Sequence, residues 1–209
     1  MKTYLIKEIF GPTLQGEATH SGTAVMFVRF SGCNKWTGHE KDRDKAICFF
    51  CDTDFANGQK MTAEEIKEEL ISKSNGVSDV VISGGEPTLQ LDKGLLETLQ
   101  NAGFVLHLET NGSKDISDIF DLFYHVTVSP KQSREQTKIK EAHDLKLLYP
   151  TQIPGTEPEA WEGFDCFQKW IQPVDSDHRT SNLDQAIDFV LKNPDWRLSL
   201  QTHKILGVK

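Results

Sequence analysis

Asp79-Val80-Val81-Ile82-Ser83-Gly84-Gly85-Glu86-Pro87 reads as a short apolar strand that stops in two glycines, a carboxylate and a proline. Gly and Pro break a strand and mark the turn that follows it. The same unit recurs downstream. A helix over residues 92–101 leads to strand 105–109 and Thr110-Asn111-Gly112, and a short helix near 116–123 leads to strand 126–129 and Pro130-Lys131. Strand 144–148 comes next, then strand 167–171 running into Gln172-Pro173-Val174-Asp175. A helix over 183–191 and a strand over 196–200 close the series. Strand–helix alternation predicts a parallel sheet with helices on its outer face. About six such strands make an α/β fold of partial, TIM-like barrel type.

Upstream, residues 4–10 and 23–30 are β-rich, and the second run, T-A-V-M-F-V-R-F, has the composition of a buried strand. The glycines and proline between them predict a loop over 11–22. Thr62 is the expected N-cap of a helix, with Glu65 completing a capping box and Ile66, Leu70 and Ile71 forming its apolar stripe. At 209 residues the chain suits a single domain, 1–209. A formal charge of −8 argues against nucleic acid as a partner, since phosphate binding needs clustered Lys and Arg. No apolar run is long enough to cross a membrane, and no signal segment is evident, so the chain reads as cytoplasmic.

Three of the four cysteines, Cys33, Cys48 and Cys51, fall in one stretch in a C-x14-C-x2-C pattern, within a loop over 31–57. In a cytosolic protein such clusters bind metal or do redox work more often than they form disulfides. Three ligands leave a position open for a small molecule. Two centres fit these residues: zinc, with His39 or His20 as fourth ligand, or a 4Fe–4S cluster with one free iron. Cys166, in F-D-C-F, reads as a small buried hydrophobe.

Position then becomes informative. Gly84-Gly85-Glu86, Glu109-Thr110-Asn111, Ser129-Pro130-Lys131 and Gln172 to Asp175 each follow a strand. In parallel α/β folds those carboxyl ends share one rim, where ligands collect. Each motif alone is ordinary turn chemistry. Four on one rim, beside a three-cysteine loop, predict a site.

The cysteine triad and V-I-S-G-G-E-P resemble the radical S-adenosylmethionine enzymes, although the first cysteine gap is longer than their usual three residues. T-L-Q-G-E at 13–17, F-V-R-F-S-G-C-N at 27–34 and C-D-T at 51–53 narrow the likeness. So do E-T-N-G at 109–112, S-P-K at 129–131, Q-P-V-D at 172–175 and L-Q-T-H-K at 200–204. Together they resemble the 7-carboxy-7-deazaguanine synthase family, which accepts such an insertion. The resemblance implies radical ring contraction of 6-carboxy-5,6,7,8-tetrahydropterin to 7-carboxy-7-deazaguanine with loss of ammonia, on the route to queuosine and other 7-deazapurines. It implies a 4Fe–4S cluster, S-adenosylmethionine regenerated in each turnover, Mg²⁺, a flavodoxin- or ferredoxin-type one-electron donor, and a homodimer.

Carried onto this chain, the family's roles assign Cys33, Cys48 and Cys51 to the cluster and Thr53 to Mg²⁺. Phe50, Gly85, Glu86, Glu109, Ser129, Pro130, Lys131, Gln172, Pro173, Val174 and Asp175 fall to S-adenosylmethionine, with Glu86 receiving its ammonium. Leu14, Gln15, Gly16, Glu17, Arg29, Ser83, His203 and Lys209 fall to the pterin. A carboxylate such as Glu17 accepts the pterin's paired N–H donors, and an Arg29 fork matches its carboxylate. The Lys209 α-carboxylate is expected to be a substrate contact. Two rival readings are an activase that installs a glycyl radical on a partner protein and a zinc-stabilised binding module without catalysis.

Overall fold

The computed structural model describes residues 2–209. Its strands are β1 (Tyr4–Leu14), β2 (Ala24–Phe30), β3 (Gln59–Met61), β4 (Asp79–Gly84) and β5 (Val105–Thr110). They continue as β6 (His125–Val128), β7 (Glu141–Tyr149), β8 (Asp165–Pro173) and β9 (Trp196–Leu198). All nine form one sheet in the order β3-β1-β2-β4-β5-β6-β7-β8-β9. From β2 to β9 along that order every pairing is parallel, whereas β1 runs antiparallel to β2 and β3. The two edges, β3 and β9, do not pair, so the barrel is open. The parallel set numbers seven instead of about six, because β2 joins it.

Helices α1 (Ala63–Lys73), α2 (Lys93–Asn101) and α3 (Arg179–Lys192) connect these strands, and α4 (Thr202–Leu206) follows β9. The capping box of α1 is present: Thr62 Oγ1 accepts from Glu65 N–H at 3.3 Å, and Glu65 Oε2 accepts from Thr62 N–H at 2.7 Å. Ile66 and Leu70 are fully buried, but Ile71 is 54% exposed. One residue past Leu70 is a turn of about 100°, which carries Ile71 off the sheet-facing stripe.

Two expectations fail locally. Residues 116–123 form turns and only a 3-10 turn at Phe120–Leu122. The Asp115 carboxylate accepts from Ser117 N–H at 2.9 Å, a local bond that competes with helix formation. Ile116, Ile119 and Phe123 nevertheless bury against the core. The expected loop over 11–22 is shorter, because β1 resumes pairing after a register shift, with Thr13 opposite Val25 and Leu14 opposite Ala24.

Strand residues alternate between the two faces of a sheet. Val80, Ile82, Leu106, Leu108, Leu145 and Leu147 join the apolar core formed with α1 and α2. Their neighbours Ser83, Glu109, Lys146 and Leu148 line a cavity instead. The strands are thus apolar toward the helices and largely polar inward, and the inward side carries the chemistry.

Candidate active site

The cavity, of about 280 Å³, opens at the carboxyl ends of the parallel strands. Its lining includes all three clustered cysteines together with residues from the rim motifs, the β1–β2 loop and the C-terminal segment. Cys33 reaches it because the Gly84-Gly85 turn presses on the exit of β2. Gly85 N–H donates to the Phe30 carbonyl at 3.0 Å and Glu86 N–H to the Gly32 carbonyl at 2.9 Å. A Cβ at Gly84 would lie 2.2 Å from the Phe30 oxygen, so only glycine permits this approach.

Burial raises the pKa of all three thiols, Cys48 to about 11. Unpaired, they are held as neutral thiols; a cationic metal centre on this wall would draw off their protons. Among the described residues, no three Cys, His, Asp or Glu side chains converge closely enough to grip a single ion. Neither His20 nor His39 lines the cavity. Three thiols lining one cavity fit a 4Fe–4S cluster, which would take one thiolate at each of three irons and leave the fourth open. Cys166 lies on β8 outside the cavity, as expected, but it is only partly buried, packed against the core.

Of the residues expected to meet S-adenosylmethionine, Phe50, Gly85, Glu109, Ser129, Lys131, Gln172, Pro173, Val174 and Asp175 line the cavity. Pro130 is buried and Glu86 is fully buried, and neither lines it. The Glu86 carboxylate is engaged by neighbouring donors within the protein. Its Oε1 accepts from Thr88 N–H at 3.0 Å, Thr88 Oγ1 at 2.5 Å and Thr110 Oγ1 at 2.7 Å, and its Oε2 from Asn111 N–H at 2.6 Å. Burial raises its pKa against those donors. Glu86 ties the end of β4 to the end of β5, and the part of the motif that lines the cavity is Gly84 and Gly85.

Opposite stands the β1–β2 loop. The Gln15 side-chain oxygen accepts from Gly16 and Glu17 N–H groups at 2.8 and 3.2 Å, shaping the turn that presents Glu17. Burial alone would raise the pKa of Glu17, but Lys146, with Gln201, brings it down to about 2. Lys146 Nζ donates to Glu17 Oε2 at 2.5 Å and to Glu109 Oε2 at 2.9 Å. Burial raises Glu109 against the same lysine. Sequence reading missed Lys146. Its signal was the lysine in D-L-K-L-L, two residues after Asp144 and hence on the same inward face of β7.

Arg29 faces the cavity with a buried Nε that makes no hydrogen bond, although Glu8 Oε1 lies 3.3 Å away. Leu14, Gly16, Ser83, Thr53, His203 and Lys209 also line the cavity. Helix α4 closes over it. Thr202 N–H donates to the Gly16 carbonyl at 2.9 Å, and His203 occupies the space a Cβ on Gly16 would need. Lys204 Nζ bridges Asp52 and Asp175, each at 2.5 Å, joining the cysteine loop to the end of β8. Thr13 Oγ1 donates to the Lys209 carbonyl at 2.6 Å.

Residues 45–131 match the Radical SAM superfamily, a span that includes the second and third cysteines. The chain is 41% identical to the 7-carboxy-7-deazaguanine synthase of Bradyrhizobium diazoefficiens, covering 99% of this chain and 100% of that protein. It is 41% identical to the enzyme of the same name from Caulobacter vibrioides, with 99% of each covered. The crystal structure of QueE from Escherichia coli superposes with a TM-score of 0.70 at 21% identity, over 95% of this chain and 93% of that one.

Proposed function

Because this chain belongs to the 7-carboxy-7-deazaguanine synthase family of radical S-adenosylmethionine enzymes, we propose that this cavity seats cofactor and pterin side by side. The reaction is the ring contraction of 6-carboxy-5,6,7,8-tetrahydropterin to 7-carboxy-7-deazaguanine with loss of ammonia, in queuosine biosynthesis. The observation that carries the placement is that the three thiols and the Glu17–Lys146–Glu109 group line the same cavity.

Cys33, Cys48 and Cys51 would hold the 4Fe–4S cluster. When bound, the cluster would supply the single electron that radical chemistry with S-adenosylmethionine needs. Gly85 lets the methionine end approach the backbone, and Ser129 with Lys131 meets its carboxylate or ribose. Lys131 Nζ is held on the Ser129 carbonyl and hydroxyl, both at 2.7 Å, and burial lowers its pKa. Gln172 to Asp175 flank the adenosine end, and Phe50 offers a ring face to the adenine.

Glu17, kept ionised by Lys146, accepts the pterin's paired N–H donors, while Arg29, approached by Glu8 along its Nε edge, takes the substrate carboxylate with its guanidinium. Thr53 contributes a neutral oxygen to Mg²⁺, and the substrate supplies the rest. His203 and Lys209 close the pocket from above. The protein's work is to orient these groups and exclude water. No helix among the described residues is long and apolar enough to cross a membrane. A cytoplasmic site of action, a homodimer and a flavodoxin- or ferredoxin-type donor belong to this reading and rest on the family likeness.

The test is an anaerobic assay of iron-reconstituted protein with S-adenosylmethionine, Mg²⁺, dithionite and the tetrahydropterin. Product that vanishes in Cys33→Ala supports the reading. Cleavage of S-adenosylmethionine with the pterin untouched would sink the substrate placement.

A further inference from the structure

The segment between Cys33 and Cys48 is fastened to the second and third cysteines by one side chain. Arg43 lies on the 3-10 turn Glu40–Lys45, its guanidinium 4.1 Å over the ring of Trp36. One edge of the fork meets Glu40, Nε to Oε2 at 2.7 Å and Nη2 to Oε1 at 2.5 Å. From the far corner, Nη1 donates to the carbonyls of Phe49 at 2.7 Å and Cys51 at 3.1 Å. Those carbonyls belong to the turn that Cys51 N–H closes on the Cys48 carbonyl at 3.1 Å. Trp36 in turn meets Phe55 edge-on, ring centroids 5.6 Å apart at 88°. Residues 51–56 have no regular secondary structure of their own, so this turn depends on such side-chain ties.

We propose that Arg43 is a positioning residue that braces the Cys48–Cys51 turn and holds its two thiols ready for the cluster. The inference rests on the cluster assignment under Proposed function. Arginine is required because stacking on an indole while forking to a carboxylate and two carbonyls needs a planar, five-donor cation. A lysine ammonium has three donors but no planar fork, so it cannot stack on the indole while meeting the Glu40 carboxylate bidentately and both carbonyls. The inserted segment is then a folded brace, and its length lets Arg43 reach back over Trp36. Trp36 and Phe55 lie outside the principal apolar core, so the barrel does not depend on the brace.

The experiment compares wild type, Arg43→Ala, Arg43→Lys and Lys41→Ala, the last an exposed cation on the same turn. Each is reconstituted anaerobically, its iron and sulfide are counted, and cluster absorbance is followed during challenge with an iron chelator. Both Arg43 variants are expected to lose iron about tenfold faster than wild type, the size of effect seen when a metal ligand loses its outer support. Lys41→Ala should match wild type, and all four apoproteins should melt together. A wild-type release rate in Arg43→Ala, or full rescue by Arg43→Lys, overturns the brace. If all four proteins stay colourless and iron-free, the cluster assignment itself falls, and the brace with it.

Discussion

Lys146 stands between two acids, its Nζ 2.9 Å from Glu109 and in contact with Glu17, with only 5% of its side chain exposed. One buried ammonium therefore fixes both the residue proposed to read the pterin and a residue on the cofactor side. Lys146→Met would leave two buried carboxylates facing each other. Removing one partner of a buried ion group costs about 3–5 kcal/mol. Without the lysine, burial and mutual repulsion hold the folded pKa of these acids above the unfolded value. Stability is then retained at low pH and lost as pH rises through the folded pKa. The penalty, read by urea denaturation, should shrink from about pH 8 to about pH 5. A penalty independent of pH would contradict this account.

Acid should weaken the fold through the histidines beneath the cavity. His20 packs edge-on against His107 and His125, with ring centroids 4.7 and 4.5 Å away, and near Tyr124. Burial, then repulsion from His125 and His107, lowers its pKa from 6.5 to about 4, against the attraction of Asp144 and Asp79. The unfolded chain binds this proton more readily, so stability is lost as pH falls from 6.5 to about 4. Glu17 adds a second loss only below 4.5, toward 2. His20→Phe should flatten the upper window and leave the lower one; an unchanged slope would refute the assignment.

Arg29→Lys tests recognition of the substrate carboxylate. A point charge cannot reproduce the fork, and one lost charge-assisted hydrogen bond of about 1.5 kcal/mol corresponds to about tenfold. The expected result is a KM for the pterin raised by about that factor with kcat little changed. An unaltered KM would leave Arg29 as a partner of Glu8 only.

Mg²⁺ should bind weakly to the enzyme without pterin. Beside Thr53, the Asp52 carboxylate is engaged by Lys204 at 2.5 Å and Asp54 by Lys7 at 2.8 Å. A neutral hydroxyl alone holds Mg²⁺ poorly. Calorimetry should show binding only when the substrate is present, and tight binding to the substrate-free enzyme would count against Thr53 as the ligand.

How far the sequence carried these conclusions varied with the kind of signal. The parallel strands, the capping box at Thr62 and the cavity position of the rim motifs followed from periodicity and from strand ends, which are local signals. Lys146 and Arg43 escaped because their partners are distant in sequence or carry no motif. Lys146 meets Glu17 from 129 residues away, and Arg43 acts on backbone carbonyls. A carboxylate in a glycine turn suits an ammonium, and only the strand geometry shows that Thr88, Thr110 and Asn111 also donate to Glu86. The missing helix at 116–123 reflects Asp115 and Ser117, whose local bonding outweighs a mixed apolar pattern.

The central claim, that cofactor and pterin share one cavity, is tested most directly with pterin carrying deuterium at C6. The reaction is run anaerobically to partial conversion, and the remaining S-adenosylmethionine is examined by mass spectrometry. Deuterium in the adenosyl group is the predicted result, since hydrogen must pass between two ligands in contact and then return. Product formed while the recovered S-adenosylmethionine stays free of deuterium would contradict it.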